Sequence, residues 1–165
     1  MFTDIVASTE TATHLGDSRW RRLLDEHDRI SRDAVTRYSG RIVKSTGDGV
    51  LATFAGPSSA VAAGEAVTEG LGTIGLAVRV GIHTGEVELR GDDIGGLAVH
   101  VAARINQLAA QGEILVSSTV RDLTIGSGIA LEPRGVQQLK GIDRPIDVYA
   151  VTNGPDKHPW QDQLR

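Results

Sequence analysis

Between Asp17 and Tyr38 the apolar residues Trp20, Leu23, Leu24, Ile30, Ala34, Val35 and Tyr38 return at helical spacing. Arg21, Arg22, Asp25, Asp28 and Arg32 fill the other face, so the stretch predicts a long amphipathic helix ended by Ser39-Gly40. Before it, Phe2–Val6 reads as a short strand, with Ser8 or Thr9 as the cap of the next element. Arg41–Thr46 and Val50–Ala55 predict two strands joined by Gly47-Asp48-Gly49, the residue types a tight hairpin needs. After the Gly56-Pro57-Ser58 break, the Ala-rich run Ser59–Gly70 predicts a second helix with Val61, Ala62, Ala66 and Val67 available for burial. Leu76–Ile82 and Glu86–Arg90 then read as a strand pair divided by His83-Thr84-Gly85, followed by a Gly-rich loop over Gly91–Gly96. Leu97–Ala110 repeats the helical period through Val101, Ile105 and Leu108. Glu113–Val116 is a strand leading into a small helix capped by Ser117 or Ser118, and strands near Ile129–Leu131 and Ile146–Val151 close the domain.

Helices alternating with hairpin-joined strands predict an α+β domain, an α/β sandwich with one sheet face covered and a ferredoxin-like βαββαβ core extended by further C-terminal strands. The expected division is a domain over 1–151 and a polar tail over 152–165, loosely ordered and carrying Pro155 and Pro159.

Composition narrows the function classes. With 165 residues and 40% hydrophobic content the chain suits one globular core. No run of about 18 apolar residues and no basic-then-apolar leader is present, so a cytoplasmic protein without membrane contact is expected. A net charge of −4 gives no basic footprint for nucleic acid. The absence of Cys removes thiolate metal sites and cysteine nucleophiles.

Two carboxylates occupy marked positions. Asp4 lies inside the apolar strand Phe2-Thr3-Asp4-Ile5-Val6, where an unpaired charge is costly and calls for a cation or several donors. Asp48 sits at the tip of the Gly47-Asp48-Gly49 hairpin. If the two strands are neighbours the carboxylates converge, and a pair of hard oxygen donors suits Mg²⁺ or Mn²⁺ carrying substrate phosphates.

Five segments in order make the pattern specific. Phe2-Thr3-Asp4-Ile5-Val6-Ala7-Ser8-Thr9, Lys44-Ser45-Thr46-Gly47-Asp48-Gly49, Arg79-Val80-Gly81-Ile82-His83-Thr84-Gly85, Asp93-Ile94-Gly95-Gly96 through Ala102-Ala103-Arg104-Ile105, and Leu139-Lys140-Gly141 closely resemble the successive motifs of class III nucleotidyl cyclase catalytic domains. The likeness runs from Phe2 to about Tyr149, nearly the whole chain, and a bacterial adenylate cyclase is the nearest type.

The resemblance implies a metal-dependent cyclisation of ATP to 3′,5′-cyclic AMP and pyrophosphate. Asp4 and Asp48 match the aspartates that hold two divalent cations, with the Ile5 carbonyl as a further ligand. Lys44 and Asp93 match the pair that selects adenine: a donor-only Lys and an acceptor-only Asp complement N1 and the 6-amino group, whereas guanine reverses both edges. Guanylate-specific relatives carry Glu and Cys or similar residues there, which disfavours guanylate cyclase. Arg104 matches the arginine that stabilises the α-phosphate in the transition state, and Arg79 and Lys140 match positions that hold the β- and γ-phosphates. His100 stands where better-known cyclases carry a ribose-orienting Asn, and its i, i+4 spacing puts it on the Arg104 face of the helix. The family builds each site across a head-to-tail dimer, so a homodimer of this chain is expected to hold two equivalent composite sites. A first strand beginning at Phe2 is minimal in length and fits a catalytic segment of a longer chain. The alternative is a nucleotide-binding, dimerising regulatory domain with weak or lost catalysis, motivated by His100 and that short strand.

Overall fold

The computed structural model describes residues 1–154. Its central sheet has seven strands: β1 (Phe2–Ile5), β2 (Arg41–Ser45), β3 (Gly49–Thr53), β4 (Val78–Ile82), β7 (Ile114–Ser117), β8 (Ala130–Gln137) and β9 (Ile146–Asn153). They lie in the order β2-β3-β1-β4-β7-β9-β8. A separate two-stranded ribbon pairs β5 (Glu88–Arg90) with β6 (Asp93–Gly95). The helices are α1 (Ser8–Leu15), α2 (Asp17–Arg37), α3 (Pro57–Gly72), α4 (Leu97–Leu108) and α5 (Ser118–Leu123). The run β1-α2-β2-β3-α3-β4, with antiparallel order β2-β3-β1-β4, is the expected ferredoxin-like core. After α4 crosses over, β7 adds to it in parallel and β9 and β8 extend the sheet.

The sheet is covered on both faces, not on one. Along β7, Ile114 and Val116 point into the cluster that holds Val80, Ile82 and the α3 residues Ala60, Val61 and Ala63, while Leu115 joins Val101 and Ile105 of α4. Alternation along a strand sends neighbours to opposite faces, so all four β7 residues are buried. A parallel crossover strand needs this second cover, and α4 supplies it. Val61, Val67, Leu71, Val78, Val80 and Ile105 are fully enclosed; each such side chain stabilises the fold by about 1.5–3 kcal/mol.

Other expectations are corrected. Leu76–Ile82 and Glu86–Arg90 are not partners: β4 runs through the sheet centre between β1 and β7, and β5 pairs with β6. The Gly91–Gly96 stretch is therefore mostly hairpin, with Gly91 at φ 63° making its turn. Ser8–Leu15, read only as a capped start, is a full helix of two turns. Neither serine nor threonine caps it: the cap position is Ala7, in the left-handed region at φ 54°. The small helix α5 is capped as expected, the Ser117 hydroxyl accepting from the Val120 amide. β9 takes in Thr152 and Asn153. The remainder of the expected tail, 155–165, lies outside the described residues.

Candidate active site

β1 is a central strand, flanked by β3 and β4, and this placement decides what surrounds Asp4. In register, Asp4 opposes Gly49 on one side and Arg79 on the other. The Arg79 guanidinium grips the carboxylate with two bonds, Nε to Oδ1 at 2.7 Å and Nη2 to Oδ2 at 2.8 Å. A bidentate, charge-assisted fork of this kind is among the strong hydrogen-bonded pairings of a carboxylate. It raises the already high pKa of Arg79, the Asp4 hydrogen bond being the main cause, with Asp48 contributing through its charge. A third donor reaches Asp4 from α4: Asn106 Nδ2 lies 3.1 Å from Oδ1.

Asp48 arrives beside this pair through backbone bonds. The Ile5 amide donates to the Asp48 carbonyl at 2.8 Å, locking the β2–β3 turn against the end of β1. Gly49 makes the approach possible, since a Cβ there would lie 1.8 Å from the Thr3 carbonyl oxygen. The Asp48 carboxylate accepts from the Ser8 hydroxyl, Oγ to Oδ2 at 2.7 Å. Ser8 thus serves the aspartate from the first turn of α1. Asp4, Asp48 and the Ile5 backbone meet at one end of β1, as the sequence predicts for neighbouring strands.

This donor set fits a hard divalent cation. It offers two carboxylates and a main-chain carbonyl, all oxygen, and Asp4 already has a cationic group on it. Among the described residues no group of three or more His, Cys, Asp and Glu side chains gathers in one place. A cation here would therefore complete its shell with oxygens of the substrate and water, as Mg²⁺ commonly does on phosphates.

Lys44 and Asp93 form a second cluster. The β2 strand shifts register between Ile42 and Lys44, a bulge that turns the lysine toward the ribbon. Its ammonium sits 2.8 Å from Asp93 Oδ2, with both side chains about half exposed. Asp93 Oδ1 accepts from the Ile94 amide at 2.8 Å. The lysine bond first, then that amide, hold the Asp93 carboxyl below the usual carboxylate range. The result is a fixed donor beside a fixed acceptor on the protein surface.

Arg104 and His100 lie together on the outer face of α4, His100 exposed and Arg104 half-buried with Nη1 3.0 Å from Gln107 Oε1. Lys140 is exposed in the turn after Leu139, which is itself buried against α4. Among the described residues, no hydrogen bond or ion pair joins Arg104, His100 or Lys140 to Asp4 or Asp48. Sequence reasoning missed three participants: Ser8, read as a cap; Asn106, hidden in a run of helical apolar positions; and Gln107, whose carbonyl accepts from Arg79 Nη1 at 3.2 Å.

Comparison with known proteins shows the family and the fold. The profile of the adenylate and guanylate cyclase catalytic domain matches residues 1–153. An uncharacterised protein of Mycobacterium tuberculosis (strain ATCC 25618 / H37Rv), Rv2212, is 31% identical over 156 residues, covering 93% of this chain and 41% of that protein. The chain spans 21% to 52% of the length of the curated relatives it matches. Among solved structures, the adenylyl cyclase CyaB from P. aeruginosa superposes with a TM-score of 0.80 at 24% identity, covering 94% of this chain and 93% of that one. The adenylate/guanylate cyclase/hydrolase from Silicibacter pomeroyi gives a TM-score of 0.75 at 29% identity, covering 94% and 95%.

Proposed function

We propose, from the premise that this chain belongs to the adenylate and guanylate cyclase catalytic domain family, that it converts ATP to 3′,5′-cyclic AMP and pyrophosphate at sites shared between two copies. The observation that carries the choice of ATP is the 2.8 Å Lys44–Asp93 pair. An ammonium donates only and a carboxylate accepts only, so the two match N1 and the 6-amino group of adenine and oppose both corresponding edges of guanine.

In the reaction the ribose 3′-oxygen attacks the α-phosphorus, the bond to the β-phosphate bridge breaks, and the hydroxyl proton leaves to solvent. Two Mg²⁺ or Mn²⁺ ions at Asp4, Asp48 and the Ile5 carbonyl would supply charge neutralisation and acidify the attacking hydroxyl. Arg79 and Lys140 hold the β- and γ-phosphates. Arg104 presents a planar set of donors to the equatorial oxygens of the α-phosphate, where negative charge accumulates. His100 offers a ring nitrogen to the ribose in place of an amide.

The composite site is supported by the absence, among the described residues, of any hydrogen bond or ion pair joining Lys44, Asp93, His100 or Arg104 to Asp4 or Asp48 within one chain. Val87, Leu89 and Leu97, on and beside the β5–β6 ribbon that carries Asp93, are 41%, 77% and 63% exposed. Apolar surface of this kind is what a second copy would cover. A second reading, nucleotide binding with little turnover, rests on His100 at the ribose position.

The test is chromatographic measurement of cyclic nucleotide from ATP and from GTP with Mn²⁺, for the native chain and for Lys44→Glu with Asp93→Cys. The native chain is expected to form cyclic AMP in preference to cyclic GMP, and the double variant to shift that ratio toward GTP. An unchanged ratio removes these residues as readers of the base. No cyclic product from a sample that binds ATP and dimerises favours the second reading.

A further inference from the structure

We propose that Asn106 is a positioning residue, holding the Asp4 carboxylate from the inner face of α4 in the orientation that accepts a divalent cation; this rests on the reading of Asp4 as a cation ligand. Asn106 is 6% exposed, and the neighbouring inward positions of the same helix, Val101, Ala102 and Ile105, are apolar and buried. An amide in that company is an exception with a cost. Its Nδ2 donates to Asp4 Oδ1 at 3.1 Å, but its Oδ1 is buried with no hydrogen-bond partner among the described residues. A buried acceptor left unpaired is unfavourable, and an apolar side chain of similar shape would avoid the loss. What the amide offers in return is a neutral side-chain donor on Asp4.

That neutrality decides how the bond behaves when a cation arrives. The other two bonds to the carboxylate come from the Arg79 guanidinium. A divalent cation held by Asp4 would compete with that positive charge for the carboxylate. The Asn106 bond carries no charge to compete with such an ion, so it would remain available to hold the carboxylate. It falls on Oδ1 alone, while Oδ2 accepts only from Arg79 among the described residues. The backbone carrying the amide is also held in place: a Cβ on Gly81 would lie 2.3 Å from the Asn106 nitrogen and 2.5 Å from its Cα, so α4 sits directly on β4 at this residue. α4 thereby carries Asn106 on one face and, about 200° around the helix, Arg104 on the other.

The experiment compares the native chain, Asn106→Leu and Asp4→Ala, nucleotide-free, by Mn²⁺ titration followed by electron paramagnetic resonance, with thermal unfolding in chelator alongside. Leu removes the donor and the unpaired acceptor together. The expected result is a chelator-treated midpoint equal to or above that of the native chain, with Mn²⁺ affinity lowered about 10–100-fold, the range for a lost hydrogen bond to a metal ligand. An Asn106→Leu titration that overlays the native one while Asp4→Ala has lost binding overturns the proposal and leaves Asp4 as a ligand. Identical titrations for Asp4→Ala and the native chain overturn the underlying reading, and the proposal with it. If Asn106→Leu loses cooperative unfolding, Asn106→Ala is judged by the same criteria.

Discussion

Asp4 and Asp93 each have a cationic nitrogen within 2.8 Å. Asp93 is half exposed and its carboxyl is held low by Lys44 and the Ile94 amide, so the pair exists above the ordinary carboxylate range and is lost only as pH falls through the depressed value. On the proposed reading, base selection by this pair is expected to stay constant through neutral pH. His83 behaves oppositely in origin. Burial above all, with repulsion from Arg144 adding to it, lowers its pKa from the ordinary 6.5, and Nδ1 meets the buried Ser117 hydroxyl at 2.7 Å. Below about pH 6.5 the unfolded chain binds a proton that the folded chain refuses, so stability declines with acidification until the folded His83 titrates. Thermal midpoints between pH 7.5 and 5 are expected to fall more steeply for the native chain than for His83→Gln; parallel curves would remove His83 as the source. The residues legible in the sequence were those whose type conflicts with their setting, such as Asp4 in an apolar strand. Asn106 has the same kind of conflict, but an amide among helical apolar positions is unremarkable until the facing strand is known.

At the scale of elements, the alternation that predicts strands says nothing of which strands pair. Leu76–Ile82 and Glu86–Arg90 both alternate well enough, and only the sheet reveals that β4 is claimed on both edges by β1 and β7. The hairpin over Gly47-Asp48-Gly49 was legible because its turn chemistry is local. The helix α1 was not, since its residues Ser8–Leu15 include four Ser or Thr and no buried position, leaving no periodic apolar stripe to read. The close seating of α4 on β4 is the element-level feature with the clearest consequence. At Gly81 the nearest atoms to an added Cβ are backbone atoms of Asn106, which cannot rotate away. Gly81→Ala is expected to cost about 1–3 kcal/mol by overpacking, read as a lowered urea midpoint, and to loosen Asn106 from Asp4. A midpoint equal to the native one would contradict this account of the helix seat.

On the proposed reading, the molecule carries two groups of site residues. Asp4, Asp48 and Arg79 collect at the end of β1, whereas Lys44 on β2 pairs with Asp93 on the ribbon, and His100 and Arg104 lie on the outer face of α4. A homodimer arranged head to tail would bring one group from each copy together twice, and α4 touches both groups in every copy. Asp4→Ala and Arg104→Ala each damage one group only. Each variant alone is expected to lose about 10²–10⁴-fold in cyclic AMP formation. An equimolar mixture allows heterodimers in which one of the two sites has an intact Asp4 and an intact Arg104. The decisive measurement is cyclic AMP formation by that mixture, with dimers confirmed by sedimentation: recovery toward a quarter of native activity, the share expected if subunits exchange at random, is the result the account predicts, and a mixture no more active than its separate components would contradict it.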